Sequence, residues 1–322
     1  MSDFAHGVRS AGGRVRSFLQ KSSLIRLGTA VLLACGVFAL WPAWTYGESA
    51  NQAAQQEAIA AIPFQQMTPE AQAKLLSVIN RPSLYRQMPT TLIESDADLY
   101  QFLVRHPEVI VNMWDLLGIT KVSITRTSNF QFEATDGAGT VTQIELIYGD
   151  PNVHVVFCEG AYEGPLFKRL LTGRCVLLLR SAYSQTMDRT TYVTSRLDVF
   201  LQIDNAGTEL IAKTLQPVVG STADRNFTDS LKFVGQVAKA AEEKPDRMQA
   251  MSQRLTKISP RVRDDFASLT SVVAQRYAAR QTGGLQPVAR IQPFDPATVP
   301  TRPASASFSL GDDTTQPEPR RE

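Results

Sequence analysis

The amino-acid sequence predicts an α+β protein: a curved antiparallel sheet of about six strands, gripped by a long helix that follows it and preceded by an N-terminal transmembrane helix. Three patterns predict this. Residues 27–44 are apolar and uncharged, residues 119–204 alternate β-branched or aromatic residues with polar ones, and apolar residues from Phe227 to Ala241 recur at steps of three and four. A chain of 322 residues with 43% hydrophobic residues is long enough to bury a core.

Charge and cysteine content exclude several classes of function. Lys plus Arg number 33 and Asp plus Glu 31, and the net charge of +2 is too small for a nucleic-acid binder. Three cysteines without a C-x-x-C spacing predict no structural metal. The sequence contains no H-E-x-x-H, nucleophile elbow, phosphate loop or dinucleotide fingerprint, so it predicts no catalytic residue and no cofactor.

The apolar segment at 27–46 is predicted to be a transmembrane anchor. Its length suits a helix crossing a hydrocarbon layer of about 30 Å. Basic residues precede it and aromatic residues close it, which predicts a cytoplasmic segment at 1–26 and a main domain on the periplasmic side. The basic residues are Arg9, Arg14, Arg16, Lys21 and Arg26, and the aromatic ones are Trp41, Trp44 and Tyr46.

Three other interpretations of this segment remain open. Leu32–Cys35 has the form of a lipobox, the segment could be a cleaved signal peptide, or it could be a buried helix of a soluble domain. Apolar sequence continues past Cys35 and no A-x-A site follows directly, so the uncleaved anchor is favoured. The anchor, the lipoprotein and the cleaved signal all place the domain outside the cytoplasm.

Helices are predicted between the anchor and the sheet. Residues 47–66, rich in Ala, Gln and Glu, are expected to form a stalk, and the α+β domain is assigned to 67–243. Thr68 as N-cap and Pro69 at the first position predict a helix over 69–80. Ser95 and Asp96 open a second helix, and a third runs from Pro107 to a C-cap at Gly118.

The sheet is predicted from residue alternation and from turn residues between the strands. Three turns are expected at 136–139, 149–152 and 186–189. Because no helical pattern interrupts this region, neighbouring strands should be antiparallel. The six strands are expected at 121–127, 129–135, 140–148, 153–162, 173–183 and 191–203.

Helical periodicity returns after the last strand. A short amphipathic segment is expected at 210–218, followed by the long helix at 227–241 and a helical extension over 244–281. Residues 282–322 are rich in Pro, Ser and Thr and are predicted to be a disordered tail.

This order of elements resembles the helix-grip superfamily that includes START domains, over residues 89–243, with residues 90–93 supplying a first short strand. The resemblance implies an apolar cavity between the sheet and the final helix, of the kind that holds lipids, sterols or polyketides. We therefore expect a membrane-anchored domain that binds an apolar or lipid-like ligand. A non-catalytic scaffold of the cell envelope is the alternative.

Five residues are candidate ligand contacts: Arg180, Tyr183, Asp198, Arg225 and Asn226. Arg180 stands inside an apolar strand, where a cation is costly unless paired. It is expected either to pair with Asp198 or Glu159, or to hold an anionic head group. Arg225 and Asn226 lie at the start of the long helix, beside Asp224, the expected N-cap, where they could face the mouth of a cavity.

Cys158 and Cys175 lie on neighbouring predicted strands, at similar distances from a turn near residue 166. Equal spacing from a hairpin turn would place them opposite each other. Two outcomes are open, a disulfide bond in an oxidising compartment or a pair of buried thiols.

Overall fold

The computed structural model describes residues 47–164, 167–204 and 218–282. The predicted cytoplasmic segment, the anchor, most of the short segment at 210–218 and the C-terminal tail lie outside these ranges. Within the described residues, no helix combines the length and the apolar character that a membrane span requires.

Seven α-helices and eight strands occur in the described ranges, together with a short 3-10 helix (Phe64–Gln66) and a π-helical turn (Val218–Thr222). The helices are α1 (Gly47–Ala60), α2 (Pro69–Ile79), α3 (Ala97–Arg105), α4 (Pro107–Leu116), α5 (Ala223–Glu243), α6 (Pro245–Arg254) and α7 (Pro260–Thr282). The strands are β1 (Leu84–Gln87), β2 (Thr91–Glu94), β3 (Ser123–Arg126), β4 (Gln131–Thr135), β5 (Thr140–Gly149), β6 (Val153–Gly164), β7 (Phe167–Gln185) and β8 (Thr191–Ile203).

All eight strands form one antiparallel sheet in the order β1-β8-β7-β6-β5-β4-β3, with β2 also paired to β8. The six predicted strands are therefore confirmed. The count was too low because β1 and β2 lie between the helices α2 and α3, outside residues 119–204, whose alternation predicted the sheet. A short strand around residues 90–93 was expected, and β2 occupies that position.

Local signals fix the helix ends before the sheet. The Thr68 hydroxyl accepts a hydrogen bond from the Ala71 N–H, and Asp96 accepts from the N–H groups of Asp98 and Leu99. Gly118 adopts φ of +67° after α4, a conformation that glycine takes without steric cost. The predicted N-cap at Thr68 and the predicted helix start at Ser95 and Asp96 are confirmed, with Asp96 as the N-cap. The C-cap of α4 is Leu117, and Gly118, predicted as the cap, is the residue after it.

The sheet has two buried faces, since side chains alternate along each strand. The outer face carries Val176, Leu178 and Phe200 and packs against α1 and α2. The inner face carries Cys175 and Leu177 and is approached by the first turns of α5, through Ala223 and Phe227. Each central strand is thus covered on both sides, and strands of this kind have nearly continuous apolar sequences.

Residues 47–66 do not form the predicted stalk. Ala58 is fully buried and Ile62 is 4% exposed, both within the outer-face cluster. The low apolar content of α1 suggested solvent on all sides, but a helix needs only one narrow apolar stripe to pack on a sheet. The segment is part of the domain.

The long helix α5 spans 223–243 and begins four residues before the predicted 227. Asp224 lies inside its first turn and is not the N-cap; it accepts two hydrogen bonds from the Arg86 guanidinium. After α5, helices α6 and α7 pack on α5, and α7 also packs on α3. The predicted helical extension at 244–281 is helical, and it contributes Leu255, Val262 and Phe266 to a shared core.

Candidate functional site

The side chains on the two faces of the central strands differ little in exposure. On the outer face, Val176, Leu178 and Phe200 are 0% exposed. On the inner face of the same strands, Leu177 is 6% and Val199 9% exposed. Other residues reverse this difference, since Phe157 on the outer face is 8% exposed and Cys158 on the inner face is 2% exposed. Both faces of the central strands are therefore buried.

The inner-face surface of the sheet is apolar. We call it the inner-face lining. Its buried members are Met88, Phe132, Ile144, Cys158, Cys175, Leu177, Leu197, Val199 and Leu201. Partly buried residues packed against them include Leu84, Ile124, Ala134, Val156, Leu179, Ile203, Ala223 and Phe227. A surface of this kind gains free energy from apolar contact at about 25 cal/mol per Å² removed from water.

A buried hydroxyl cluster lies at the edge of the lining next to α3. The Tyr100 hydroxyl is 2.8 Å from Ser181 Oγ and 2.7 Å from Ser195 Oγ, and the two serines are opposite each other on β7 and β8. Burial raises the pKa of Tyr100, so the phenol is neutral near pH 7. Because each hydroxyl has a partner, the cluster joins α3 to the sheet.

A charged network occupies the junction of α3 and α4. Glu108, 3% exposed, accepts a hydrogen bond from Arg126 Nε at 2.7 Å, and Arg126 Nη2 donates to the Arg105 carbonyl at 2.8 Å. Burial alone would raise the pKa of Glu108, but hydrogen bonds from His106 and Arg126 outweigh it and the pKa is lowered. Sequence analysis did not single out this network, which joins the junction of α3 and α4 to Arg126 of β3.

His154 lies on the inner face of β6, in register with Gly149 and Leu179. It is 1% exposed, and its Nε2 accepts a hydrogen bond from Arg105 Nε at 3.3 Å. Burial, together with the positive charge of Arg105, lowers the pKa of His154 to about 4. The imidazole is therefore neutral near pH 7. Sequence analysis did not single out this histidine as a site residue.

Two of the predicted ligand contacts, Arg180 and Asp198, meet on the outer face. Arg180 Nη2 is 2.7 Å from Asp198 Oδ2, and Arg180 Nη1 is 2.7 Å from Glu57 of α1. Of the two functions considered for Arg180, the structure shows the ion pair. Its other expected partner, Glu159, lies in register with Arg174. Since Arg180 and Asp198 face α1, they are separated from the inner-face lining by the sheet itself.

The other three predicted contacts lie nearer the inner face. The Tyr183 hydroxyl donates a hydrogen bond to the Pro151 carbonyl at 2.7 Å, and the Tyr183 ring packs edge-on against Tyr100. Burial raises the pKa of Tyr183. Arg225 is exposed and Asn226 is half-buried, in the same turn of α5 as Phe227. Of the five predicted site residues, the structure thus joins Arg180 and Asp198, on the outer face.

Cys158 and Cys175 are opposite each other in the register of β6 and β7, as the sequence predicted. Both thiols are buried and free, and both belong to the inner-face lining. Burial raises the pKa of Cys158 well above its usual value and that of Cys175 to about 12. The disulfide remains a prediction for the protein in an oxidising compartment.

No protein-family model matches the chain, and no curated protein matches it either. Among solved structures, it is similar to a conserved protein from Geobacillus kaustophilus, with 14% identity over 49% of this chain and 97% of that chain and a TM-score of 0.35. A truncated norcoclaurine synthase from Thalictrum flavum shows 12% identity over 48% and 93%, with a TM-score of 0.32. Ara h 8.0201 shows 13% identity over 47% and 98%, with a TM-score of 0.29.

Identities and TM-scores this low assign no family, and the class of protein follows from the topology. Two short strands precede a helix pair, six strands follow, and the long helix α5 comes after them, with β1 and β2 both beside β8. This is the element order of a helix-grip α+β domain.

Proposed function

We propose that this domain binds an apolar or lipid-like ligand between the inner face of the sheet and α5. The observation that supports it is the apolar lining of the inner face, which Ala223 and Phe227 of α5 approach, in a domain with the helix-grip order of elements. Sites for apolar ligands are lined mainly by side chains of this kind.

The lining also limits which ligands are suitable. Its members are apolar, and the hydroxyl groups at its edge are already paired with one another. Transfer of a charged group to such a surface without a partner is strongly unfavourable. A ligand with a mainly hydrocarbon body is therefore favoured over a sugar or a nucleotide.

One valine on each face provides a matched test. Val199→Phe places a larger side chain in the proposed binding space, so we expect a change in unfolding free energy below about 1 kcal/mol and loss of ligand binding. Val176→Phe overpacks the outer face and should cost about 1–3 kcal/mol while binding persists in the folded fraction. Unfolding in urea measures stability, and thermal stabilisation of the full chain by a panel of fatty acids, sterols and aromatic hydrocarbons measures binding.

Equal destabilisation by the two substitutions, together with no stabilisation by any panel member, would remove the binding proposal. The scaffold function would then be favoured, because a solidly packed domain has surfaces but no interior site to offer.

We further propose that residues 27–46 anchor the chain in a membrane with the domain on the periplasmic side. The uncharged apolar run, the basic residues before it and the aromatic residues after it support this. A phosphatase reporter that is active only outside the cytoplasm, fused after Glu322, should be active. Activity of a cytoplasm-dependent reporter at the same position would contradict the proposed orientation, and a lipid mass lost on Cys35→Ser would favour the lipoprotein interpretation.

A further inference from the structure

His154 has a buried hydrogen-bonding atom without a partner. Its Nδ1 is one of four buried side-chain atoms without one among the described residues. Of the other three, Arg180 Nε lies on the outer face, Gln202 is placed there by alternation with Phe200, and Glu108 Oε2 lies at the junction of α3 and α4. His154 alternates with Val156 and Cys158, so its side chain belongs to the inner face.

The chemical state of Nδ1 follows from the other ring nitrogen. Arg105 Nε donates to His154 Nε2, so Nε2 acts as an acceptor and carries no hydrogen. A neutral imidazole has one N–H, which must then be on Nδ1. His154 therefore holds a hydrogen-bond donor inside the protein that no described residue accepts, an arrangement that costs free energy until an acceptor arrives.

The position of the ring shows where this donor points. A Cβ built on Gly149 would lie 3.1 Å from His154 Cδ2 and 3.5 Å from Nε2, so the Cδ2–Nε2 edge of the ring faces β5. Nδ1 is on the opposite side of a five-membered ring from that edge. It therefore points away from Gly149. Leu179, the register partner of His154 on β7, packs against the lining.

We propose that His154 is a ligand-binding residue, whose Nδ1–H donates a hydrogen bond to an acceptor oxygen on an otherwise apolar ligand. The inference rests on the proposed function and adds the class of ligand: a hydrocarbon body that carries one carbonyl or carboxylate oxygen. The Arg105 guanidinium beside Nε2 adds positive charge, and Asp150 partly offsets it. The net field favours an acceptor with negative charge, partial or full.

Matched probes separate this inference from the proposed function. 2-Ethylnaphthalene and 2-acetylnaphthalene have the same carbon skeleton and differ by one carbonyl oxygen, and 2-naphthylacetate tests a carboxylate. Each probe is titrated against the full chain in lipid nanodiscs, with thermal unfolding as the readout. The comparison is made between His154→Leu, which removes the donor, His154→Asn, which offers an amide N–H near the position of Nδ1, and the unaltered chain. Each probe partitions into the nanodisc lipid to the same extent for every variant, so this partition cancels when the variants are compared.

We expect His154→Leu to weaken the binding of 2-acetylnaphthalene roughly fivefold more than that of 2-ethylnaphthalene, the effect of one hydrogen bond. His154→Asn should restore most of that difference. A larger effect on 2-naphthylacetate than on the ketone would identify the acceptor as a carboxylate, and an equal or smaller effect would identify it as a neutral carbonyl.

The outcomes are distinct. If no probe binds the unaltered chain, the proposed function fails. If the hydrocarbon binds but His154→Leu weakens all three probes equally, or none, the space is real and the role of His154 is wrong. Val199→Phe serves as the reference for non-specific binding, because it fills the proposed binding space and leaves His154 in place.

Discussion

Three hydrogen-bond donors stabilise the buried Asp198 carboxylate. It is 0% exposed, and it accepts hydrogen bonds from the Tyr85 hydroxyl at 2.7 Å, Gln87 Nε2 at 3.1 Å and Arg180 Nη2 at 2.7 Å. If Arg180 were lost, the Asp198 carboxylate would keep the free-energy cost of its desolvation without the attraction that compensates for it. This ion pair is therefore a structural feature of the outer face.

Arg180→Met should destabilise the protein by about 3–5 kcal/mol, because the charge of Asp198 is then left buried without Arg180. Arg86→Met is the control: the Arg86 side chain is 39% exposed in its pair with Asp224, so its loss should cost under about 1 kcal/mol. Urea unfolding of both variants measures the difference. Similar losses in the two variants would show that Asp198 is stabilised without Arg180.

His154 makes stability depend on pH in a defined direction. Its pKa is lowered to about 4 in the folded protein, against an ordinary value of 6.5. Between these pH values the unfolded chain binds a proton at His154 that the folded protein does not bind. The contribution of His154 to the free energy of unfolding is therefore complete above pH 6.5 and is lost as the pH falls toward 4. From pH 7 to pH 4.5 the unaltered chain should lose about 2–3 kcal/mol more than His154→Asn in urea unfolding. Parallel losses would mean that His154 titrates normally.

At the scale of elements, α1 is fastened to the sheet by charge as well as by apolar contact. Arg180 and Arg196 are direct register partners on β7 and β8, and Glu57 of α1 accepts hydrogen bonds from both. Burial would raise the pKa of Glu57, but the bonds from the two arginines outweigh it and the pKa is lowered. The contribution of ionised Glu57 to the free energy of unfolding is therefore complete above pH 4.5, the ordinary pKa of the carboxyl group, and is lost as the pH falls below that value.

Ala58→Arg should release α1 from the outer face, because Ala58 is fully buried there and the larger cation does not fit. Hydrogen exchange followed by mass spectrometry should show loss of protection across 51–62 and at Val176 and Leu178. Gln56→Arg, on the exposed side of the same helix, should leave protection unchanged. Retained protection in Ala58→Arg would mean that α1 docks elsewhere or is not needed.

The register of β6 and β7 is the element-scale feature that the sequence predicted in most detail. Cys158 and Cys175 were expected to be opposite each other, and they are. The prediction succeeded because hairpin register depends on counting residues from one turn, which is local information. The position of α1 was missed because its contacts reach residues more than a hundred positions away, Arg180 and Arg196 among them.

At the scale of the whole molecule, the C-terminal helices complete the core that α3 and α4 begin. Phe266 of α7 is fully buried and stacks on Phe102 of α3, and Leu255, which follows α6, is fully buried in the same cluster. The helical extension is therefore not an independent appendage. Most contacts in this cluster join segments that are distant in sequence, which favours a single cooperative unfolding transition.

Phe266→Ala should cost about 3–5 kcal/mol, because a large side chain leaves a cavity in the shared core. Val272→Ala on the same helix should cost well under 1 kcal/mol, since Val272 is 36% exposed. Calorimetry should show one transition shifted to lower temperature in Phe266→Ala. A separate early transition, with the sheet unaffected, would show that the extension folds as its own unit.

The sequence by itself determined the α+β class, the antiparallel pairing and the six strands from β3 to β8. It also determined the helix starts at Thr68 and at Ser95 and Asp96 and the opposition of the two cysteines, since alternation, capping and turn spacing act over a few residues. Tertiary structure alone decided which face of each strand meets which helix. Strands buried on both sides are apolar on both sides, so Arg180 and His154 gave no sign of lying on opposite faces. The packing of α1 placed Arg180 on the outer face and left His154 facing the apolar lining.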